Sequence, residues 1–282
     1  MGRCSSAVLV LAPEVRKLNV NIAAHADTNK TTVDDKIIGG TVAKRHEFPY
    51  QISLQWNLGP NISRSPIHFC GGSLLNRNWV LTAAHCRVRY TKRGWIEVVA
   101  GEYDTTRYES SEQRRKAAKY VTHRSYCGGV CPFDIGIIQV NKPFELNEMV
   151  APIALPKQYE QFTGDCIATG WGSTSTTERP MYPDKLRKAT LPIVDFKTCY
   201  KFWFEEGNPD ALSNTCAGPE DGSRSVCSGD SGGPLAKFDS KREKPVLVGV
   251  ASWGAIPCGM EQKPAVFTTV ATYVDWIKEN MR

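Results

Sequence analysis

The segment Ser225-Val-Cys-Ser-Gly-Asp-Ser-Gly-Gly-Pro-Leu235 sets Ser231 among glycines, with Gly229 before it and Gly232 and Gly233 after it. Glycine lets a backbone turn sharply and approach a ligand closely, which suits an exposed nucleophile. A serine hydroxyl attacks poorly at neutral pH, so it needs a neighbouring base, and that base needs an orienting acceptor. The G-x-S-x-G spacing also matches the nucleophile elbow of α/β-hydrolases, which run serine, acid, histidine along the chain. Here all five histidines, His25, His46, His68, His85 and His123, precede Ser231. If Ser231 is the nucleophile, the α/β-hydrolase reading is excluded.

Of the five, His85 has the most informative surroundings. The apolar run Trp79-Val-Leu-Thr-Ala-Ala84 delivers it from a strand, and Cys86 follows as an anchor. Asp134 opens the apolar run Ile135-Gly-Ile-Ile138. A carboxylate at the mouth of a buried strand needs a partner, and a histidine N–H is one.

The elements that must position these groups are short. From Ile37 onward, apolar or alternating runs recur at 50–56, 79–84, 95–100, 134–140, 166–171 and 246–253, separated by turn residues. That pattern predicts an all-β chain of many strands. One helix is predicted at the C-terminus, where Val270, Val274, Ile277 and Met281 form an apolar stripe and Lys278 and Arg282 sit near the negative dipole end. Two β domains joined near 147–155 suit a chain of 282 residues.

The net charge of +6 is spread along the chain apart from clusters such as Arg114-Arg115-Lys116, and argues against a nucleic-acid partner. Ten cysteines without paired C-x-x-C motifs point to an oxidising, extracellular setting rather than to zinc. No run approaches the roughly 18 apolar residues of a membrane span. Residues 14–36 are polar and aperiodic, as in a removable leader. Before them, Arg3 and Ala7–Ala12 resemble a signal peptide with a short apolar region, whereas Met1–Ser6 also fits a myristoylation pattern. A misassigned start is the third alternative.

The motifs WVLTAAHC (79–86), DIGIIQV (134–140), GDSGGP (229–234), SWG (252–254) and IIGG (37–40) occur in the order of the trypsin/chymotrypsin family of serine proteases. The resemblance covers nearly all of residues 37–282. It implies two antiparallel six-stranded β-barrels, 37–150 and 151–282, with a C-terminal helix and the active site between the barrels. It implies Ser231 as nucleophile, His85 as proton carrier and Asp134 as its orienting carboxylate, with the Gly229 and Ser231 amides as oxyanion hole. In family members, cutting before an I-[IV]-G-G sequence frees an α-ammonium that inserts beside the aspartate preceding the serine. Here those residues are Lys36, Ile37 and Asp230.

The family pattern further pairs Cys70 with Cys86, Cys199 with Cys216, and Cys227 with Cys258. Cys127 and Cys131 are close enough in sequence for a local bridge unusual for the family, and Cys166 is left free or bonded to Cys4. Residues Glu102, Asp104, Arg107, Glu109 and Glu112 resemble the calcium loop of trypsin relatives, with an ordinary acidic loop as the alternative. No cofactor is required. Asn61-Ile-Ser63 is a glycosylation sequon.

By the same resemblance Ser225 lies at the base of the specificity pocket, where trypsin-like members have Asp. The resemblance assigns Ser252, Trp253, Gly254 and Ala265 to substrate binding, and Trp203 near the pocket fits a chymotrypsin-like enzyme. A neutral base and an open Gly254 entrance predict cleavage after Phe, Tyr and Leu, with Trp disfavoured by the Ala265 methyl. The region 259–263 leaves Glu261 as a carboxylate that could reach the pocket. Expected partners are protein or peptide substrates, a trypsin-like activating protease and protein protease inhibitors, for a secreted monomer. The alternatives are elastase-like specificity, or a non-catalytic protease-like binding protein.

Overall fold

The computed structural model describes residues 37–59, 66–87 and 94–282. Lys36, the leader and signal stretch before it with Cys4, and the sequon at Asn61 lie outside the described residues.

Strands β1 (Thr41–Val42), β2 (Gln51–Asn57), β3 (Ile67–Asn76), β4 (Trp79–Thr82), β5 (Trp95–Ala100), β6 (Gln113–Thr122) and β7 (Gly136–Val140) are followed by β8 (Asp165–Gly170) and β9 (Arg187–Val194). After helix α1 (Phe196–Trp203) come β10 (Asn214–Ala217), β11 (Pro234–Asp239), β12 (Lys244–Trp253), β13 (Ala265–Thr269) and helix α2 (Val274–Asn280). In the order β2-β3-β4-β7-β6-β5, six strands close into an antiparallel barrel. A second six-stranded ring, β9-β10-β13-β12-β11-β8, closes through the β8–β9 pairing, and β1 lies along the rest of the β9 edge.

Alternation along β2 explains how the barrels join. Ile52, Leu54 and Trp56 enter the first core, while the intervening Gln51, Ser53 and Gln55 are buried on the opposite face, where each finds a polar partner. One of these partners crosses the interface: Thr169 Oγ1 on β8 donates to Gln51 Oε1 at 2.6 Å.

The C-terminal helix is shorter than the sequence stripe suggests. A 3-10 turn, Val270–Tyr273, precedes α2, so the stripe begins before the α-helix does. Its members Val270, Val274 and Ile277 are buried, and Met281 is half-buried. Helix α1, absent from the sequence reading, is capped by the Asp195 carboxylate, which accepts from Thr198 N at 3.0 Å. Disulfides join Cys70–Cys86, Cys127–Cys131, Cys199–Cys216 and Cys227–Cys258. Cys166 is a free, buried thiol whose pKa burial pushes up to about 11. No helix among the described residues is long and apolar enough to cross a membrane.

Candidate active site

Strand β4 is wholly buried and ends in a tight 3-10 turn, Ala84–Cys86, which the Cys70–Cys86 disulfide ties back to β3. This turn aims both nitrogens on the inner side of His85 at one carboxylate. His85 N donates to Asp134 Oδ1 at 2.9 Å, and Nδ1 donates to Asp134 Oδ2 at 2.7 Å. Asp134 is buried and takes a third bond from Ser252 Oγ at 2.6 Å. Its backbone carbonyl accepts from Thr268 Oγ1 at 2.7 Å. Residues of β12 and β13 in the second barrel thus fix an aspartate of the first. With Nδ1 donating, Nε2 keeps a lone pair able to accept a proton.

The second barrel contributes Ser231. Gly71 N of β3 donates to its carbonyl at 2.7 Å, and Cys86 Sγ contacts the same oxygen at 3.6 Å, so the segment lies against the histidine turn. Asp230, Gly232 and Gly233 donate their amides to Cys227, Ala251 and Asp230 carbonyls respectively. Among the described residues the Gly229 and Ser231 amides have no acceptor. The side-chain atoms Ser231 Oγ and His85 Nε2 are also buried and unpartnered. A site with two unpaired donors, one unpaired hydroxyl and one unpaired base is suited to acyl transfer.

Gly229 has φ 100°, and a Cβ there would stand 3.1 Å from Gly172 Cα and 3.2 Å from the Tyr182 ring. Its carbonyl accepts from His68 Nε2 at 3.0 Å, while His68 Nδ1 accepts a hydrogen bond from the Ser53 hydroxyl at 2.8 Å. Burial lowers the His68 pKa to about 4 against the opposing effect of the Gly229 carbonyl, which makes the ring neutral at pH 7. No local run of residues marks this Ser53–His68–Gly229 chain in advance.

Asp230 points away from Ser231 into a socket of backbone. Its Oδ1 accepts from Gly172 N at 2.8 Å and its Oδ2 from Cys227 N at 2.9 Å. Burial nevertheless raises its pKa to about 6, since two amides compensate a buried charge only in part. Glycine is required around it: a Cβ on Gly170 would lie 2.1 Å from Oδ1, and one on Gly172 2.3 Å from Cγ. Ile37 is fully buried in the second-barrel core beside Val226.

A family model described as trypsin matches residues 37–277. Trypsin-1 of Astacus astacus is 39% identical over 246 residues, covering 86% of this chain and 99% of the relative. Trypsin of Sus scrofa is 35% identical over 253 residues (89% and 98%), and anionic trypsin of Bos taurus is 36% identical over 250 (88% and 90%). The chain belongs to the trypsin family of serine proteases.

In this protease the Ser225 amide donates to Ile38 O at 3.1 Å and its buried hydroxyl to Val226 O at 3.0 Å. Val226, Ala251, Ala265 and Phe267 pack together in one buried apolar cluster. A Cβ built on Gly254 would meet only Ala265 Cα, at 3.9 Å, an ordinary van der Waals contact, so the two residues adjoin. Trp203 packs edge-on against Trp253 at 5.0 Å and donates its Nε1–H to Pro264 O at 3.0 Å. Glu261 is exposed.

The acidic loop of the protease is organised around arginines. Glu102 accepts from Gln55 Nε2 at 2.8 Å on both oxygens and lies 3.6 Å from Arg114. Asp104 pairs with Arg107 at 3.1 Å, Glu109 with Arg45, and Glu112 with Arg114 at 2.8 Å. Burial, partly offset by hydrogen bonding and Arg114, raises the Glu102 pKa to about 7. Among the described residues the one set of three such ligand groups that converges is Cys70, His85 and Cys86. Both of its sulfurs are in a disulfide. As placed, Glu102, Asp104, Glu109 and Glu112 face guanidinium groups, that of Arg107 among them, instead of a shared centre, so the loop does not fit calcium in this arrangement.

Proposed function

We propose that the protein is a secreted endopeptidase, made as a zymogen and cut after Lys36, which cleaves peptide bonds after Phe, Tyr and Leu. Ser231 Oγ attacks the scissile carbonyl carbon as its proton passes to His85 Nε2, and Asp134 stabilises the resulting imidazolium. Negative charge on the former carbonyl oxygen is received by the Gly229 and Ser231 amides. Collapse of the tetrahedral adduct breaks the C–N bond, with the His85 proton going to the leaving amine. Water, deprotonated by His85, then attacks the ester and releases Ser231. The free ammonium of Ile37 pairs with Asp230 and orders the segment that carries both amides.

The specificity reading is carried by the neutral residue Ser225, which the family resemblance assigns to the base of the pocket. Relatives named trypsin make cleavage after Lys or Arg the competing reading. A substrate cation would need a buried carboxylate to offset its desolvation, and Ser225 offers a hydroxyl already bonded to Val226 O. An open Gly254 supports aromatic entry over elastase-like selection of small residues.

The test uses chain cut after Lys36 by a trypsin-like protease that is then removed, with Ser231→Ala as control. Matched peptides ending in Phe, Leu, Ala or Lys are compared by kcat/KM. Phe and Leu should lead. Dominant Lys cleavage would overturn the pocket assignment, and no cleavage of any peptide would favour a binding protein.

A further inference from the structure

A line of hydrogen bonds runs from the acidic loop to the segment that carries Ser231, and no step of the mechanism uses it. Arg114 Nη1 donates to Gln55 Oε1 at 2.9 Å. Gln55 Nε2 donates to Ser53 Oγ at 3.1 Å as well as to both Glu102 oxygens. Ser53 and Gln55 are buried on one face of β2. Ser53 Oγ meets His68 Nδ1 on β3 at 2.8 Å, and His68 Nε2 meets Gly229 O at 3.0 Å. The imidazole also packs edge-on against the buried Trp171 ring, with centroids 5.5 Å apart.

The chemistry of its two ends fixes the direction of every bond in this line. A guanidinium only donates and a backbone carbonyl only accepts. With its oxygen facing Arg114, the Gln55 amide turns its N–H groups toward Glu102 and Ser53. With a carbonyl in front of it, His68 Nε2 must carry a proton. Burial keeps the ring neutral, so it has one such proton; Nδ1 accepts, and the Ser53 hydroxyl donates to it. Donation therefore runs from Arg114 through Gln55, Ser53 and His68 to Gly229 O without a break.

Strand β3 grips the serine segment twice. The His68 side chain holds the carbonyl of Gly229, and Gly71 N holds that of Ser231 at 2.7 Å. These are the two residues whose amides form the oxyanion site. A Cβ on Gly71 would stand 2.8 Å from Gly233 Cα, so β3 lies directly against the segment. Gly229, at φ 100° and without a Cβ, has wide backbone freedom, and its amide direction turns with it unless the carbonyl is held.

We propose that His68 is a positioning residue for the oxyanion site: with its proton placed by Gln55 and Ser53, it locks the Gly229 backbone so that the Gly229 and Ser231 amides converge on one point. Charge develops on the substrate oxygen in the transition state, so a loosened aim lowers kcat and spares ground-state binding. Removing an oxyanion donor outright costs about 10²–10³ in rate, and spreading the aim of one that remains should cost roughly tenfold.

The proposal rests on the catalytic reading of the cleft, so the assays separate the two. Activated wild type and variants are compared in three ways: cleavage of a tetrapeptide anilide ending in Phe, binding of the matching peptide aldehyde, and binding of benzyl alcohol. The aldehyde's tetrahedral adduct with Ser231 sets an oxygen in the oxyanion site, whereas benzyl alcohol offers the pocket only a ring. His68→Phe keeps a ring but donates nothing. It should lower kcat and aldehyde affinity each about tenfold, with KM and benzyl alcohol affinity within about twofold. His68→Gln supplies a donor for Gly229 O and an acceptor for Ser53, and should return kcat to within about threefold of wild type. Ser53→Ala should fall between His68→Phe and wild type. In wild type, 15N spectra of labelled histidine should show His68 protonated on Nε2 alone at pH 7, a readout that needs no variant.

Unchanged kcat in His68→Phe or Ser53→Ala would overturn the positioning role. So would a Gln variant no better than the Phe variant, equal losses of aldehyde and benzyl alcohol affinity, or wild-type His68 protonated on Nδ1. Wild type that leaves the anilide uncut would refute the catalytic reading instead.

Discussion

Cutting after Lys36 should change the slope of stability against pH, and two buried groups set the size of the change. In the intact chain Asp230 has a pKa of about 6 against an ordinary 3.8. The folded state therefore holds a proton that the unfolded chain has lost, and this contribution, present below about pH 4, disappears as pH rises through 6. The shift corresponds to about 3 kcal/mol. His68 runs the other way: its pKa is about 4 against 6.5, so its contribution is present above 6.5 and is lost as pH falls through 4. Part of the His68 residue reaches the surface, so about 3 kcal/mol is an upper value for it. The two slopes oppose each other across the same window, and the intact chain should be nearly flat between pH 4 and 6.5 on their account. Once the Ile37 ammonium pairs with Asp230, the Asp230 slope vanishes and the His68 slope stands alone.

The assay is urea unfolding of Ser231→Ala chain, intact and cut, at pH 4, 5, 6 and 7, with extrapolation to water. Cut chain should lose up to about 3 kcal/mol more than intact chain between pH 7 and 4. Asp230→Asn in the intact chain should reproduce the steeper profile without any cut. Groups common to both forms, such as Glu102, cancel in the comparison. Equal slopes for intact and cut chain, or an Asp230→Asn profile identical to that of the intact parent, would refute the reasoning.

Other expectations follow from the same geometry. Ser225→Asp should lower kcat/KM on Phe peptides at least about tenfold by placing an unpaired carboxylate in an apolar pocket, and raise it on Lys peptides. Ser252→Ala removes one of three donors to Asp134 and should lower kcat about tenfold with KM little changed. Gly172→Ala forces a methyl against the Asp230 carboxylate and should cost about 1–3 kcal/mol on unfolding, with loss of activity in the cut form. Because arginines already face the acidic loop, millimolar calcium should move Tm by less than about 2 °C. A larger rise would mean that the ion displaces them.

What could be read in the sequence tracks how locally each feature is determined. Strand β5, Trp95–Ala100, is found at the bounds its apolar run gives, since a short apolar run is written in the residues themselves. Strand β6 reads Gln-Arg-Arg-Lys-Ala-Ala-Lys-Tyr-Val-Thr and carries no such pattern; it exists because β5 and β7 pair with its two edges and close the barrel. Helix α1 needed only the Asp195 cap and two inward residues, Cys199 and Trp203, too narrow a stripe to stand out in eight residues. In the site, His85, Asp134 and Ser231 were legible because each sits at the end of a distinctive local run. His68 was not, because its partner is a carbonyl 161 residues away. The glycines at 170 and 172 were silent for the same reason: only the Asp230 carboxylate explains them.

This division also explains why family membership and specificity separate here. Identity of 35–39% over most of the chain establishes the family and goes with the two-barrel fold. A fold of this kind depends on many residues acting together. Preference for the residue before the cut rests on the charge of one buried position, and a single carboxylate there decides between a cation and a ring. At Ser225 that charge is missing, and Glu261, the carboxylate that the sequence reading set near the pocket, is exposed. The fold follows the relatives, while the proposed specificity turns on Ser225, whose hydroxyl already has its acceptor in Val226 O.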